Sequence, residues 1–115
     1  MWNLFSSAND ISASQVIKKI DDGWRPYIID VRSRGEANQT GVMKGTKLIH
    51  PHGKIAEKRK ELPRDRDILI ICRSGARSSV ALNKLKAIGF ENDSLFNLKG
   101  GIKAYARAGG AIKRL

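Results

Sequence analysis

Short apolar runs alternate along this chain with stretches whose apolar residues recur every three or four positions. Ser12 to Ile20 (S-A-S-Q-V-I-K-K-I) reads as a helix that Ser12 or Ser14 could cap and Gly23 could end. Tyr27-Ile28-Ile29-Asp30-Val31 reads as a buried, β-branched strand, and Ser33 to Asn38 as a short helix capped by Ser33. Lys47-Leu48-Ile49 predicts a short strand stopped by Pro51, and Ala56 to Leu62 a charged short helix closed by Pro63. In Asp67-Ile68-Leu69-Ile70-Ile71-Cys72, four consecutive apolar residues predict a strand covered on both faces, as in a parallel sheet. Ser78 to Ile88 predicts the longest helix, with Val80, Ala81, Leu82, Leu85 and Ile88 as its apolar stripe and Gly89 as its stop. Ser94 to Leu98 reads as a further strand, Gly101 to Ala108 as a last helix, and Gly109-Gly110 as a turn. Strands alternating with helices in one small unit predict an α/β fold: a mainly parallel central sheet flanked by helices in three layers. Ligands of such sheets bind at the carboxyl ends of the strands, and Cys72 stands there, between the clearest strand and the clearest helix.

Composition bounds the rest. With 115 residues, 41% of them hydrophobic and 29% charged, the chain has the size and balance of one soluble domain. No run approaches the roughly 18 apolar residues of a membrane span. The opening M-W-N-L-F-S-S lacks the basic start of a secretory leader, so the expectation is a cytoplasmic protein, or a periplasmic one if a leader has been removed. Nothing in the pattern demands more than a monomer. The single cysteine excludes an internal disulfide and a thiol-rich metal site. Lys and Arg number 22 against 11 Asp and Glu, a net charge of +11 that favours anionic partners. The excess is concentrated beyond residue 52, where 15 basic residues face six acidic ones.

A lone cysteine is more often a small buried hydrophobe than a reactive group, so its neighbours decide. The segment is Cys72-Arg73-Ser74-Gly75-Ala76-Arg77-Ser78. A short loop between a strand and a helix turns backbone N–H groups inward, and the helix start adds its own unpaired N–H groups. Gly75 permits a positive φ, while Arg73 and Arg77 add fixed positive charge. Such surroundings lower a thiol pKa from about 8.5 to roughly 3.5–7.5 and predict a nucleophilic cysteine that handles anions. Phosphate ester hydrolysis and sulfur transfer both use a cysteine in an anion cradle. Cysteine phosphatases space cysteine and arginine as C-x5-R, whereas this loop is C-x4-R with Ile71 before the cysteine. One residue fewer removes roughly 3.5 Å of contour, and the smaller ring suits a terminal sulfur better than a phosphate.

From about Ile11 to Ile112 the chain resembles the rhodanese family. The C-R-S-G-A-R-S loop is similar to that family's single-domain active-site loop. Ile29-Asp30-Val31-Arg32 followed by Glu36 resembles its D-V-R-x-x-x-E motif, and Gly89-Phe90 with Leu98-Lys99-Gly100-Gly101-Ile102 its "G-F … L-x-G-G-I" signature. The resemblance implies one rhodanese-like domain over residues 11–115 after an N-terminal extension, residues 1–10. It also implies a two-step sulfurtransferase that needs no metal or organic cofactor. Cys72 would take sulfur from a small anionic donor such as thiosulfate and pass its persulfide sulfur to a thiol or cyanide. By the same carry-over, Arg73, Ser74, Gly75, Ala76 and Arg77 would hold the persulfide, with Asp30, Arg32 and Ser78 supporting the loop. Two positions depart from the family: Gly41 to Thr46 lacks the usual histidine and proline, and Tyr105 replaces a tryptophan.

Other features have plainer explanations. His50 and His52 lack the further ligands a metal needs and read as loop tips, with a place near the site mouth as the functional alternative. The basic run from Lys54 to Arg66 is interleaved with acids and carries no aromatic, so it reads as a solvated face and not a nucleic-acid surface. Trp2 and Phe5 form a small apolar patch, and Trp24 reads as a packing residue. Two functional alternatives stand beside sulfur transfer to small acceptors. One is a sulfur-relay or regulatory module that docks an acidic carrier protein, and the other is a small cysteine phosphatase or arsenate reductase.

Overall fold

Ile68-Leu69-Ile70-Ile71 carries no polar residue because both of its faces are covered. In the computed structural model, which describes residues 8–115, all four side chains are buried. They alternate: Ile68 and Ile70 enter one apolar cluster, Leu69 and Ile71 the other. The elements run β1 (Asp10–Ile11), α1 (Ala13–Asp21), β2 (Tyr27–Asp30), α2 (Arg34–Thr40), β3 (Val42–Met43) and β4 (Thr46–Ile49). A 3₁₀ segment (His52–Lys58), β5 (Ile68–Ile71), α3 (Ala76–Ala87) and a 3₁₀ turn (Asn92–Ser94) follow. Then come β6 (Leu95–Leu98), α4 (Gly101–Arg107) and β7 (Ile112–Lys113). Five strands form one all-parallel sheet in the order β1-β6-β5-β2-β4, with β5 at its centre. Ala81, Leu82 and Leu85 of α3, with Ile55, Leu62 and Phe90, cover one face. Val16 of α1 and Ile102 and Tyr105 of α4 cover the other. The layers are those the alternating pattern predicts.

Local chemistry sets the helix starts. Ser12 with Gln15, and Ser33 with Glu36, form reciprocal capping boxes at α1 and α2. Three local expectations are corrected. Residues 56–62 form no α-helix; the segment is a 3₁₀ run displaced to His52–Lys58, followed by turns. Only Ile55 and Leu62 are buried there, too few for an amphipathic stripe. Helix α3 starts at Ala76, two residues before the expected Ser78, with Gly75 at φ 105° as its N-cap. Its inward stripe is Ser78, Ala81, Leu82 and Leu85, while Val80 and Ile88 are exposed. Just before residue 11, the buried Asn9 amide donates to Leu95 O, and Asp10 pairs with Asn97 where β1 meets β6. The Trp2 and Phe5 patch lies outside the described residues.

The stretch that departs from the family, residues 41–46, contributes β3, which pairs antiparallel with β7. Gly41, at φ 79°, passes so close to that strand that a Cβ would lie 2.8 Å from Lys113 O. Trp24 packs edge-on against Phe96 at 5.2 Å and donates its indole N–H to Asp67 at 2.6 Å. No helix among the described residues is long and apolar enough to cross a membrane.

Candidate functional site

Cys72 follows the last residue of β5 and is 1% exposed, on the face of the sheet that α3 covers. The chain then turns through Gly75 into α3, and that turn aims polar hydrogens at the sulfur. Gly75 N–H donates to Sγ at 3.0 Å and the Ser78 hydroxyl lies 3.4 Å from it. The backbone N–H groups of Ser74 and Ser78 also face it. Burial alone would raise the thiol pKa, but the hydrogen bonds from Ser78, Gly75 and Ser74 outweigh it, and the thiol lies below its ordinary value. A desolvated sulfur ringed by N–H and O–H donors is better solvated as an anion than as a thiol.

The loop is held from four sides. From α2, the Glu36 carboxylate takes two parallel hydrogen bonds from Arg77, at 2.7 and 2.8 Å. The arginine holds the Glu36 carboxyl down to about 2, and the carboxylate in turn raises Arg77 further above its usual range. From α4, Ile102 N–H donates to Cys72 O at 2.9 Å and Lys103 N–H to Arg73 O at 3.3 Å. From the β6–α4 turn, Gly101, at φ 65°, lies flat against the loop, and a Cβ there would collide with the Arg73 carbonyl. From β6 itself, Asn97 accepts the Ser78 hydroxyl at 2.5 Å while its amide nitrogen donates to Asp10 at 2.9 Å.

The expected site residues thus divide. Ser74, Gly75 and Ser78 converge at the Cys72 sulfur, and Ala76 begins the helix that carries Ser78. Arg77 faces Glu36 and braces the loop. Arg73 is exposed and, with Arg32, Glu36, Thr40, Lys103 and Ile102, lines a cleft of about 380 Å³ beside the loop. Asp30 and Arg32 form a fully buried ion pair at 2.8 Å on the neighbouring strand. Arg32 spends its remaining donors on Thr40 Oγ1 and Gly41 O, so the pair ties β2 to the end of α2 and makes no contact with Cys72. His50 bonds Glu57 at 3.1 Å, neither His50 nor His52 lines the cleft, and no metal-ligating cluster exists among the described residues. In the basic run, Arg64 stacks on Phe90 and Arg66 donates to Arg25 O, while Lys58 pairs with Glu61.

Sequence reasoning gave Asn97 no role. The signal was present: Asn97 sits at an inward position of an otherwise apolar strand, on the same face as Leu95. A polar residue there must find a buried partner.

Comparison with known proteins places this arrangement. Residues 12–108 match the family described as Rhodanese-like domain. A protein named sulfurtransferase from Allochromatium vinosum is 35% identical over 101 residues, covering 88% of this chain and 91% of that relative. The solution structure of the rhodanese-like domain of Anabaena Alr3790 superposes with a TM-score of 0.81 at 26% identity, over 95% of this chain and 81% of that one. A rhodanese-related protein from Thermoplasma volcanium gives 0.77 at 26% identity, over 91% and 97%.

Proposed function

Because this chain belongs to the family of rhodanese-like domains, within which it is a transferase of the rhodanese type, we propose that it moves a sulfane sulfur through a persulfide on Cys72. The Cys72 thiolate attacks the outer sulfur of thiosulfate. The sulfur–sulfur bond of the donor breaks, and its electron pair leaves with sulfite. A thiolate or cyanide then attacks the terminal sulfur of the persulfide, and Cys72 departs again as a thiolate. The observation that carries this reading is the ring of donors on Sγ from Ser74, Gly75 and Ser78. It favours an anionic sulfur both before and after the transfer, and the backbone amides of residues 73–77 are the groups that would cradle the terminal sulfur. The proposed compartment is the cytoplasm, where acceptor thiols stay reduced.

The mass of the protein after incubation with thiosulfate tests this. A gain of one sulfur, reversed by cyanide or dithiothreitol and absent in Cys72→Ala, is the expected result. No gain under conditions that load a known rhodanese would refute it, and hydrolysis of an aryl phosphate would instead favour the phosphatase reading.

A second reading, with an acidic carrier protein as the acceptor, has its own observation. Arg73 and Lys103 line the cleft beside Cys72, and its one acidic residue, Glu36, is engaged by Arg77. Positive groups left at the mouth favour a partner with an acidic rim and make its docking sensitive to salt. Pulldown at low and high salt separates this from transfer to small thiols.

A further inference from the structure

The Ser78 hydroxyl has one proton and three acceptors within reach: Asn97 Oδ1 at 2.5 Å, Gly75 O at 3.1 Å and Cys72 Sγ at 3.4 Å. It cannot serve all three at once. Asn97 is the nearest, and its orientation is fixed from the other side. Its amide nitrogen donates to the Asp10 carboxylate at 2.9 Å and to Gly75 O at 3.4 Å, so Oδ1 must face Ser78. Reversing the amide would set two oxygens against each other at Asp10. Ser78 and Asn97 are both buried, at 0% and 5% exposure, so water does not settle the competition.

The reaction proposed above gives that competition a role. Sγ alternates between an anion, when Cys72 is a free thiolate, and a neutral atom, when it is a thiol or the inner sulfur of a persulfide. A neutral sulfur is a poor acceptor and an anionic one a strong acceptor. We infer that Asn97 is a positioning residue for Cys72: it holds the Ser78 proton while the sulfur is neutral and yields it when the sulfur becomes an anion. The hydroxyl turns about its Cβ–Oγ bond and keeps its own proton throughout, while the thiol proton leaves to solvent. Without Asn97 the hydroxyl would have no competing side chain and would bind the thiolate more firmly, giving a more acidic and less nucleophilic sulfur. This inference rests on Cys72 being the sulfur-carrying nucleophile.

The test follows the ionisation of Cys72, the only cysteine in the chain, by the pH dependence of its alkylation rate. The charged residues of the surrounding elements are left unsubstituted in every variant: Asp10 of β1, Asp30 of β2 and Arg32 just after it, Glu36 of α2, Arg73 and Arg77 of the loop and α3, Lys99 after β6, and Lys103 of α4. Asn97→Leu, which preserves volume, should lower the midpoint by about 1, the size of one hydrogen bond gained by the anion. Ser78→Ala should raise it, and in that background Asn97→Leu should change nothing further, because Asn97 acts only through Ser78. A rise in Asn97→Leu, or an equal shift in both backgrounds, would overturn the inference. Asn97→Ala repeats the test should the leucine fail to fold. The unmodified protein supplies a measurement free of folding effects: the side-chain amide resonances of Asn97 should titrate with the same midpoint as alkylation, and a flat response would equally overturn it. Failure of thiosulfate loading would end the sulfur-carrier reading and leave these ionisation curves readable. Unmoved curves with loading intact would end only the assignment of Asn97.

Discussion

Replacing Gly101 by alanine tests whether the cradle around Cys72 is a rigid unit. Gly101 adopts φ 65°, where an L side chain costs roughly 1–2 kcal/mol. Its missing Cβ would also collide with the carbonyl carbon and oxygen of Arg73, backbone atoms that have no rotamer to change. Relief requires the loop and the β6–α4 turn to separate, an overpacking strain of roughly 1–3 kcal/mol. Together these give about 3 kcal/mol, or a fall of about 12 °C in Tm for a domain of this size. The same separation pulls the Ile102 N–H away from Cys72 O, a contact of 2.9 Å that fixes the sulfur over its donors. A displacement of about 1 Å at a reacting atom reduces a rate roughly a hundredfold. Gly101→Ala should therefore remain folded at room temperature yet load sulfur from thiosulfate about a hundredfold more slowly, read by circular dichroism and by stopped-time mass spectrometry. Loading at the unmodified rate, with Tm lowered as expected, would refute the idea that loop and turn are coupled.

Three further outcomes follow from the geometry. Glu36→Gln removes a carboxyl whose pKa is held near 2 against an ordinary 4.5, chiefly by the Arg77 side chain. Because the folded value is the lower one, the pair stabilises the protein above pH 4.5 and loses that effect as pH falls toward 2. Both side chains are about one-third exposed, so solvent screening reduces the contribution to about 1 kcal/mol, and urea titration at pH 7 should show that loss in the variant while the difference vanishes near pH 2. Asp30→Ala strands the fully buried Arg32 guanidinium and should cost roughly 3–5 kcal/mol by denaturant titration, a loss that Asp30→Ala/Arg32→Met recovers in part. Ile70→Ala empties the centre of the sheet and should cost about 2–5 kcal/mol with the chemistry at Cys72 otherwise retained.

The layers of this fold were legible because their signal is periodic. Ile68 to Ile71 announces a strand covered twice, and Ser12 and Ser33 announce helix starts through chemistry confined to four residues. Elements held by distant partners left no such trace. Strands β1 and β3 are two residues each and exist because β6 and β7 lie beside them. The charged run after Pro51 misled because composition resembled a helix where only Ile55 and Leu62 had anything to pack against. At the candidate site, the loop sequence alone pointed to Cys72, and the structure sets Gly75 N–H and the Ser78 hydroxyl around its sulfur. Asn97 acts across the sheet, and Ser78 turns inward only because α3 begins at Ala76, a phase that the apolar residues of the helix do not determine.

The parts that frame Cys72 come from different stages of synthesis. Its sulfur emerges at position 72; one brace of its loop, Glu36, is made earlier, and the others come later: Asn97, Gly101, Ile102 and the β6 strand that anchors them. Domains are made from the N-terminus onward, and long-range parallel pairing is among the last structure to form. Until residues 95–102 dock, the loop around Cys72 lacks the contacts that Asn97, Gly101 and Ile102 give it. A chain cut before residue 95 keeps the cysteine and loses the frame that β6 and α4 put around it.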